Sequence, residues 1–88
     1  MPDANLDQAV DGIIGAGYGS AGERCMAISV AVAVGDIADE LVDKLSNKAQ
    51  TLKVAPWTDH SSEMGPVISK EHKEKIVNYI DMGENEGA

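Results

Sequence analysis

Cys25 is the single cysteine of the 88-residue chain, and it lies in Gly22-Glu23-Arg24-Cys25-Met26-Ala27, at the end of a glycine-rich stretch. A cysteine attacks as its thiolate, and the guanidinium of Arg24 favours that ionised form where the two side chains meet, while Glu23 opposes it. A turn between packed elements can hold such a residue rigidly, which suits a nucleophile. The competing reading is a small cysteine that fills space and reacts with nothing. His60 and His72 are candidate bases for a Cys–His dyad, although both stand in or beside polar stretches where surface histidine is the commoner case. One cysteine with two distant histidines offers neither an intrachain disulfide nor a metal-ligand spacing.

Gly17-Tyr18-Gly19-Ser20-Ala21-Gly22 matches G-x-G-x-x-G, and Asp36 follows the first glycine by 19 residues, where a ribose-binding acid belongs. The context rejects a dinucleotide fingerprint. Only four residues separate Gly22 from Ala27, whereas a parallel crossover needs roughly a dozen. Helical rather than strand periodicity also precedes the glycines, so they read as a flexible turn that brings backbone close to a neighbour. Ser20 lacks the leading glycine of a G-x-S-x-G elbow and the strand before it.

These residues must be positioned by the elements around them. Leu6, Ala9, Val10, Ile13, Ile14 and Gly17 form one helical stripe, which predicts a helix over 4–18, capped by Asn5 or Asp3. The turn of interest spans 19–26. From 27 to 34 the residues alternate, with Ile28, Val30, Val32 and Val34 on one face and Ala27, Ser29, Ala31 and Ala33 on the other. Such a pattern predicts a strand covered on both sides, as in a parallel α/β sheet. Asp36 is the expected N-cap of a helix over 36–52, with Ile37, Leu41, Val42, Leu45, Ala49 and Leu52 inward. Residues 53–69 read as one long surface loop, punctuated by Pro56 and Gly65-Pro66. Ser69 caps a helix over 70–82, with Ile76, Val77 and Ile80 inward and Gly83 as its stop. Met26 and Met64 read as packing residues.

The order is α-β-α-loop-α, an α/β class, but a single strand cannot make a sheet. Its N–H and C=O groups need neighbours that nothing else in the chain supplies. Either the chain self-associates or it is part of something larger.

Composition narrows the partners. A net charge of −8, spread along the chain, excludes the basic stripe that phosphate binding requires, so no nucleic acid is expected. No apolar run approaches the roughly 18 residues of a membrane span, and the first residues lack the order of a signal peptide, so no membrane partner and no export are expected. The lone cysteine fits a reducing, cytoplasmic setting. With only Tyr18, Trp57 and Tyr79 as aromatics, any core rests on Ala, Val, Ile and Leu.

Gly22-Glu23-Arg24-Cys25-Met26-Ala27 resembles the catalytic-cysteine signature of the aldehyde dehydrogenase superfamily, in its methylmalonate-semialdehyde dehydrogenase branch. Pro2-Asp3-Ala4-Asn5-Leu6-Asp7 resembles the family's segment leading into the helix before that cysteine. Glu63-Met64-Gly65-Pro66-Val67-Ile68 resembles its downstream Gly-Pro motif, so the resemblance runs in order through essentially the whole chain. Many members carry Gln where this chain has Glu23.

The resemblance implies a partial catalytic domain of parallel-sheet architecture spanning 1–88. It implies Cys25 as a nucleophile that forms a thiohemiacetal and then a thioester, with the Cys25 backbone N–H helping to hold the oxyanion. Arg24 would bind the substrate carboxylate, since a guanidinium offers two parallel donors to it. NAD and coenzyme A would serve the full-length enzyme, oxidising methylmalonate or malonate semialdehyde with loss of carbon dioxide to propionyl-CoA or acetyl-CoA, and that enzyme is expected to be a dimer or tetramer of identical chains. The family's nicotinamide-binding domain, general-base glutamate and oxyanion asparagine would lie upstream, so the fragment alone is expected to bind no cofactor and to be inactive. The rival expectation is a self-associating helical interaction module in which Cys25 is structural.

Overall fold

The computed structural model describes residues 1–88. Three helices form in chain order: α1 (Leu6–Tyr18), α2 (Ala38–Gln50) and α3 (Lys70–Asn85), with a 3₁₀ turn over Gly19–Gly22 directly after α1. No helix is long and apolar enough to cross a membrane.

α1 starts where the Asn5 side chain accepts a hydrogen bond from the Gln8 N–H at 3.1 Å, which satisfies one of the helix's unpaired amides. Its stripe meets α2. Val10 and Ile14 are buried against Leu41, with Leu6, Ile13, Leu45, Ala49 and Leu52 partly buried around them. Ionic contacts flank this seam: Lys44 donates to Asp7 at 2.6 Å, and Lys48 lies 3.5 Å from Asp11. Val42, expected inward, stands off the seam and is exposed.

α2 begins two residues later than the expected 36. Gly35 takes φ +84° and turns the chain, leaving Asp36 in a turn ahead of Ile37, so Ile37 is the N-cap and no side chain caps the helix. Asp39 and Glu40 still place negative charge in the first turn, where the helix dipole favours it.

α3 begins at the predicted cap, the Ser69 hydroxyl accepting from the His72 N–H at 3.2 Å. It passes through Gly83 instead of stopping there and ends at Asn85. The stop is Gly87, at φ +94°, because the Gly87 N–H reaches the Glu84 carbonyl and the Ala88 N–H reaches the Gly83 carbonyl. Ile76, Val77 and Ile80 do not face inward: α3 packs on neither other helix, and all three are exposed.

The predicted strand over 27–34 is absent from this chain, and with it the sheet of the expected α/β architecture. A strand exists by its ladder, and no other segment pairs with this one. Only Ala33 reaches the helix seam, while Val30 and Val32 are 75% and 80% exposed. The surface totals 7060 Å², whereas a compact monomer of this length exposes about 5,000 Å².

The stretch 53–69 is irregular, as the sequence predicts, yet its first part is knitted together. An isolated parallel bridge joins Val54 to Met64, the Ser62 hydroxyl donates to the Ala55 carbonyl at 2.7 Å, and Lys53 pairs with Asp59 at 2.9 Å. The Ser61 hydroxyl first, then Lys53 and the Ser61 amide, hold the Asp59 carboxyl below its ordinary range.

Two predictions follow from the seam. Leu41→Ala should cost about 2–4 kcal/mol, seen as lost amide-exchange protection in α1 and α2 while the amides of α3 are unchanged. The hydrogen bond from Lys44, and then its charge, hold the Asp7 carboxyl below its ordinary 3.8. A depressed acid stabilises the folded state above its unfolded value, and that contribution is lost as pH falls through the folded one. Protection of α1 and α2 should therefore fall between about pH 5 and pH 2, and Asp7→Asn should flatten that fall.

Candidate functional site

The turn that carries Cys25 hangs from the end of α1. The Gly19 N–H closes the helix on the Gly15 carbonyl, and the Ile28 N–H reaches back to the Ala16 carbonyl at 3.4 Å. Two glycines permit this return. A Cβ on Gly17 would touch Ile28, and one on Gly22 would come within 3.0 Å of the Gly17 carbonyl oxygen. Gly22 also takes φ +76°, a region that disfavours residues with a Cβ. By contrast, Gly12 and Gly15 have nothing near the space a Cβ would fill, so close approach explains only the later glycines.

Between these glycines, Ser20 and Ala21 are left-handed, at φ 54° and ψ 40° and 30°. Each such residue costs about 1–2 kcal/mol. No composition signal marks them, because neither residue type favours that conformation.

From there the chain makes a tight turn. The Glu23 N–H donates to the Ser20 carbonyl and the Ala27 N–H to the Arg24 carbonyl, both at 3.0 Å, which puts Cys25 and Met26 at the apex. Cys25 is a free, exposed thiol. Its own backbone N–H donates to no acceptor in the chain. Arg24 takes part in none of the five ion pairs. An exposed thiol, an uncommitted amide on the same residue and an unpaired cation next to it can together attack a carbonyl, receive the resulting oxyanion and hold a carboxylate.

The two histidines are separated. His72 lines a cleft with Ser20, Glu23, Pro66 and Ser69, so the fold brings the first residues of the turn beside the Gly65-Pro66 segment and the start of α3. His60 lies in a different depression beside Trp57. Neither hydrogen-bonds to Cys25, so the chain contains no assembled Cys–His dyad. The proximity of Ser20 to His72 is invisible in sequence, since 51 intervening residues must fold to create it.

The glycine run forms no dinucleotide cradle. Gly17 belongs to α1, and Gly19–Gly22 are a 3₁₀ turn with neither a strand before them nor a helix immediately after. Nor does the chain hold a cluster of three or more His, Cys, Asp or Glu residues able to bind a metal ion.

Comparison with known proteins finds relatives along the whole chain. The sequence model described as the aldehyde dehydrogenase family matches residues 1–88. Malonate-semialdehyde dehydrogenase 2 of Geobacillus thermodenitrificans is 57% identical over 88 residues, covering 100% of this chain and 18% of that protein. Among solved structures, a putative methylmalonate-semialdehyde dehydrogenase from Sinorhizobium meliloti, complexed with NAD, matches with a TM-score of 0.90 at 56% identity, over 100% of this chain and 18% of that one. The methylmalonate-semialdehyde dehydrogenase of Oceanimonas doudoroffii matches at 0.87 and 55%, over 99% and 18%. This chain therefore spans about a fifth of the length of the relatives it matches.

Gly22→Ala should destabilise the turn by at least about 1 kcal/mol through positive φ and the clash at Gly17. Gly12→Ala should instead stabilise α1 by up to about 1 kcal/mol. Amide exchange at Glu23, Ala27 and Ile28 reports the first, and helical ellipticity reports the second.

Proposed function

Because this chain belongs to the aldehyde dehydrogenase family, we propose that it is a catalytic-domain segment of an NAD-dependent, coenzyme A-acylating malonate- or methylmalonate-semialdehyde dehydrogenase. The carrying observation is the turn at Cys25, which offers an exposed thiol together with an uncommitted backbone N–H. The names of relatives 55–57% identical to this chain support the substrate class.

The Cys25 thiolate attacks the aldehyde carbon. A C–S bond forms, the carbonyl π pair moves to oxygen, and the Cys25 N–H donates to that oxyanion. Arg24 holds the carboxylate at the other end of the semialdehyde, which fixes the reacting carbon at a set distance from the sulfur. Lys would bind the carboxylate as a point charge and orient it less.

NAD and coenzyme A are proposed as co-substrates of the whole protein. Since these residues form no dinucleotide site, no oxidising or acyl-transfer step is assigned to them. The uncovered valine face of 27–34 and the bare helix α3 are the surfaces that a parallel-sheet catalytic domain, assembled as a homo-oligomer, would cover. A self-associating helical module would also cover them, but it accounts for neither the Arg24-Cys25 turn nor a family match along every residue.

In a whole enzyme carrying this segment, iodoacetamide should label Cys25 faster near pH 7 than it labels a free thiol, as a nucleophile role requires. Labelling no faster than the free thiol rules out the nucleophile role. Arg24→Ala should raise KM for malonate semialdehyde about tenfold more than for propanal, its uncharged analogue, as loss of a charge-assisted contact requires.

A further inference from the structure

Gly19 has no backbone reason to be glycine. Its φ of −54° and ψ of 124° are open to every L-residue, and its one recorded task, closing α1 on the Gly15 carbonyl, uses only its N–H. What stands over it is the Arg24 side chain. A Cβ built on Gly19 would lie 3.4 Å from both Cζ and Nε of Arg24 and 3.7 Å from Nη1. The guanidinium thus lies beside the space that a side chain at position 19 would enter. No carboxylate pairs with it, and no hydrogen bond occupies its donors.

We propose that Gly19 is a positioning residue for Arg24: its missing side chain keeps open the space in which the guanidinium waits for the carboxylate of a short aldehyde acid. The inference rests on the reading of Arg24 as the carboxylate anchor. The limits of that space follow from its distances. A methyl group at position 19 meets the guanidinium at ordinary contact, so Gly19→Ala is accommodated. A branched side chain carries its outer carbons into the volume Arg24 occupies, and the guanidinium must move. Position 19 thereby governs the preference for carboxylated over neutral aldehydes, although it touches no substrate carboxylate itself.

The test compares KM for malonate semialdehyde with KM for propanal in the whole enzyme. Gly19→Val should raise the ratio of the two about tenfold, the scale of one misplaced charge-assisted contact, and Gly19→Ala should keep it within about twofold. Combined with Arg24→Ala, Gly19→Val should add nothing further to the ratio, because both act through one guanidinium. Gly19→Leu applies the same pressure where the valine variant does not fold. An unchanged ratio in the folded bulky variants overturns the positioning role and leaves the anchor standing. A further rise of the ratio in the Arg24→Ala background overturns it too. If Arg24→Ala by itself leaves the ratio unchanged, the anchor reading fails, and the role of Gly19 fails with it.

Discussion

Val10 and Ile14 of α1 pressing on Leu41 of α2 is the only contact in this chain that removes side chains almost wholly from water. Everything else is arranged around that seam. It fixes α1, and α1 in turn fixes the turn that hangs from its last residues through the Gly15 carbonyl, the Ala16 carbonyl and the close approach of Gly17 to Gly22. The Asp7–Lys44 and Asp11–Lys48 pairs line the seam from outside. They are solvent-exposed, where ion pairs contribute little, so the register of the two helices rests mainly on the aliphatic contact.

The turn at Cys25 departs most from ordinary backbone. Ser20 and Ala21 are left-handed without being glycine, and Gly22 follows at positive φ. Three such residues in succession reverse the chain sharply enough for Ile28 to return to α1 and for Cys25 to stand at an apex. Strained backbone of this kind persists where its surroundings over-determine it, and it clusters at functional sites. In this chain the surroundings are the α1 terminus and, across a cleft, the Gly65-Pro66 segment and the start of α3. A radius of gyration of 14.7 Å, against about 12 Å for a compact domain of this length, agrees with the large exposed surface: most of the apolar faces meet nothing within the 88 residues.

Parts of the site were legible in the residues themselves. The pairing of Arg24 with Cys25 follows from adjacency, and the glycines around them announce a turn. The rejection of a dinucleotide fingerprint needed only the distance from Gly22 to the next patterned segment, and the structure shows the same glycines ending a helix. The cleft that brings His72 and Pro66 beside Ser20 was not legible, because contacts between distant residues carry no local signal. Asp36 failed as a cap for a related reason: its residue type is right, but the bend at Gly35 sets where the helix begins.

Local chemistry sufficed wherever one helix face or one cap made the decision. The stripe from Leu6 to Ile14, the Asn5 and Ser69 caps and the irregular run after Lys53 follow from periodicity and hydrogen-bonding capacity, which are properties of neighbouring residues. Pairing of the 27–34 segment is not such a property. Its alternation states that both faces want cover, but a strand is made by the carbonyls and amides of another strand, and none lies within reach in this chain. In the same way, the sequence places a guanidinium next to a thiol, while only the folded backbone brings that guanidinium beside the open space at Gly19, because the distance between positions 19 and 24 is set by the left-handed turn between them.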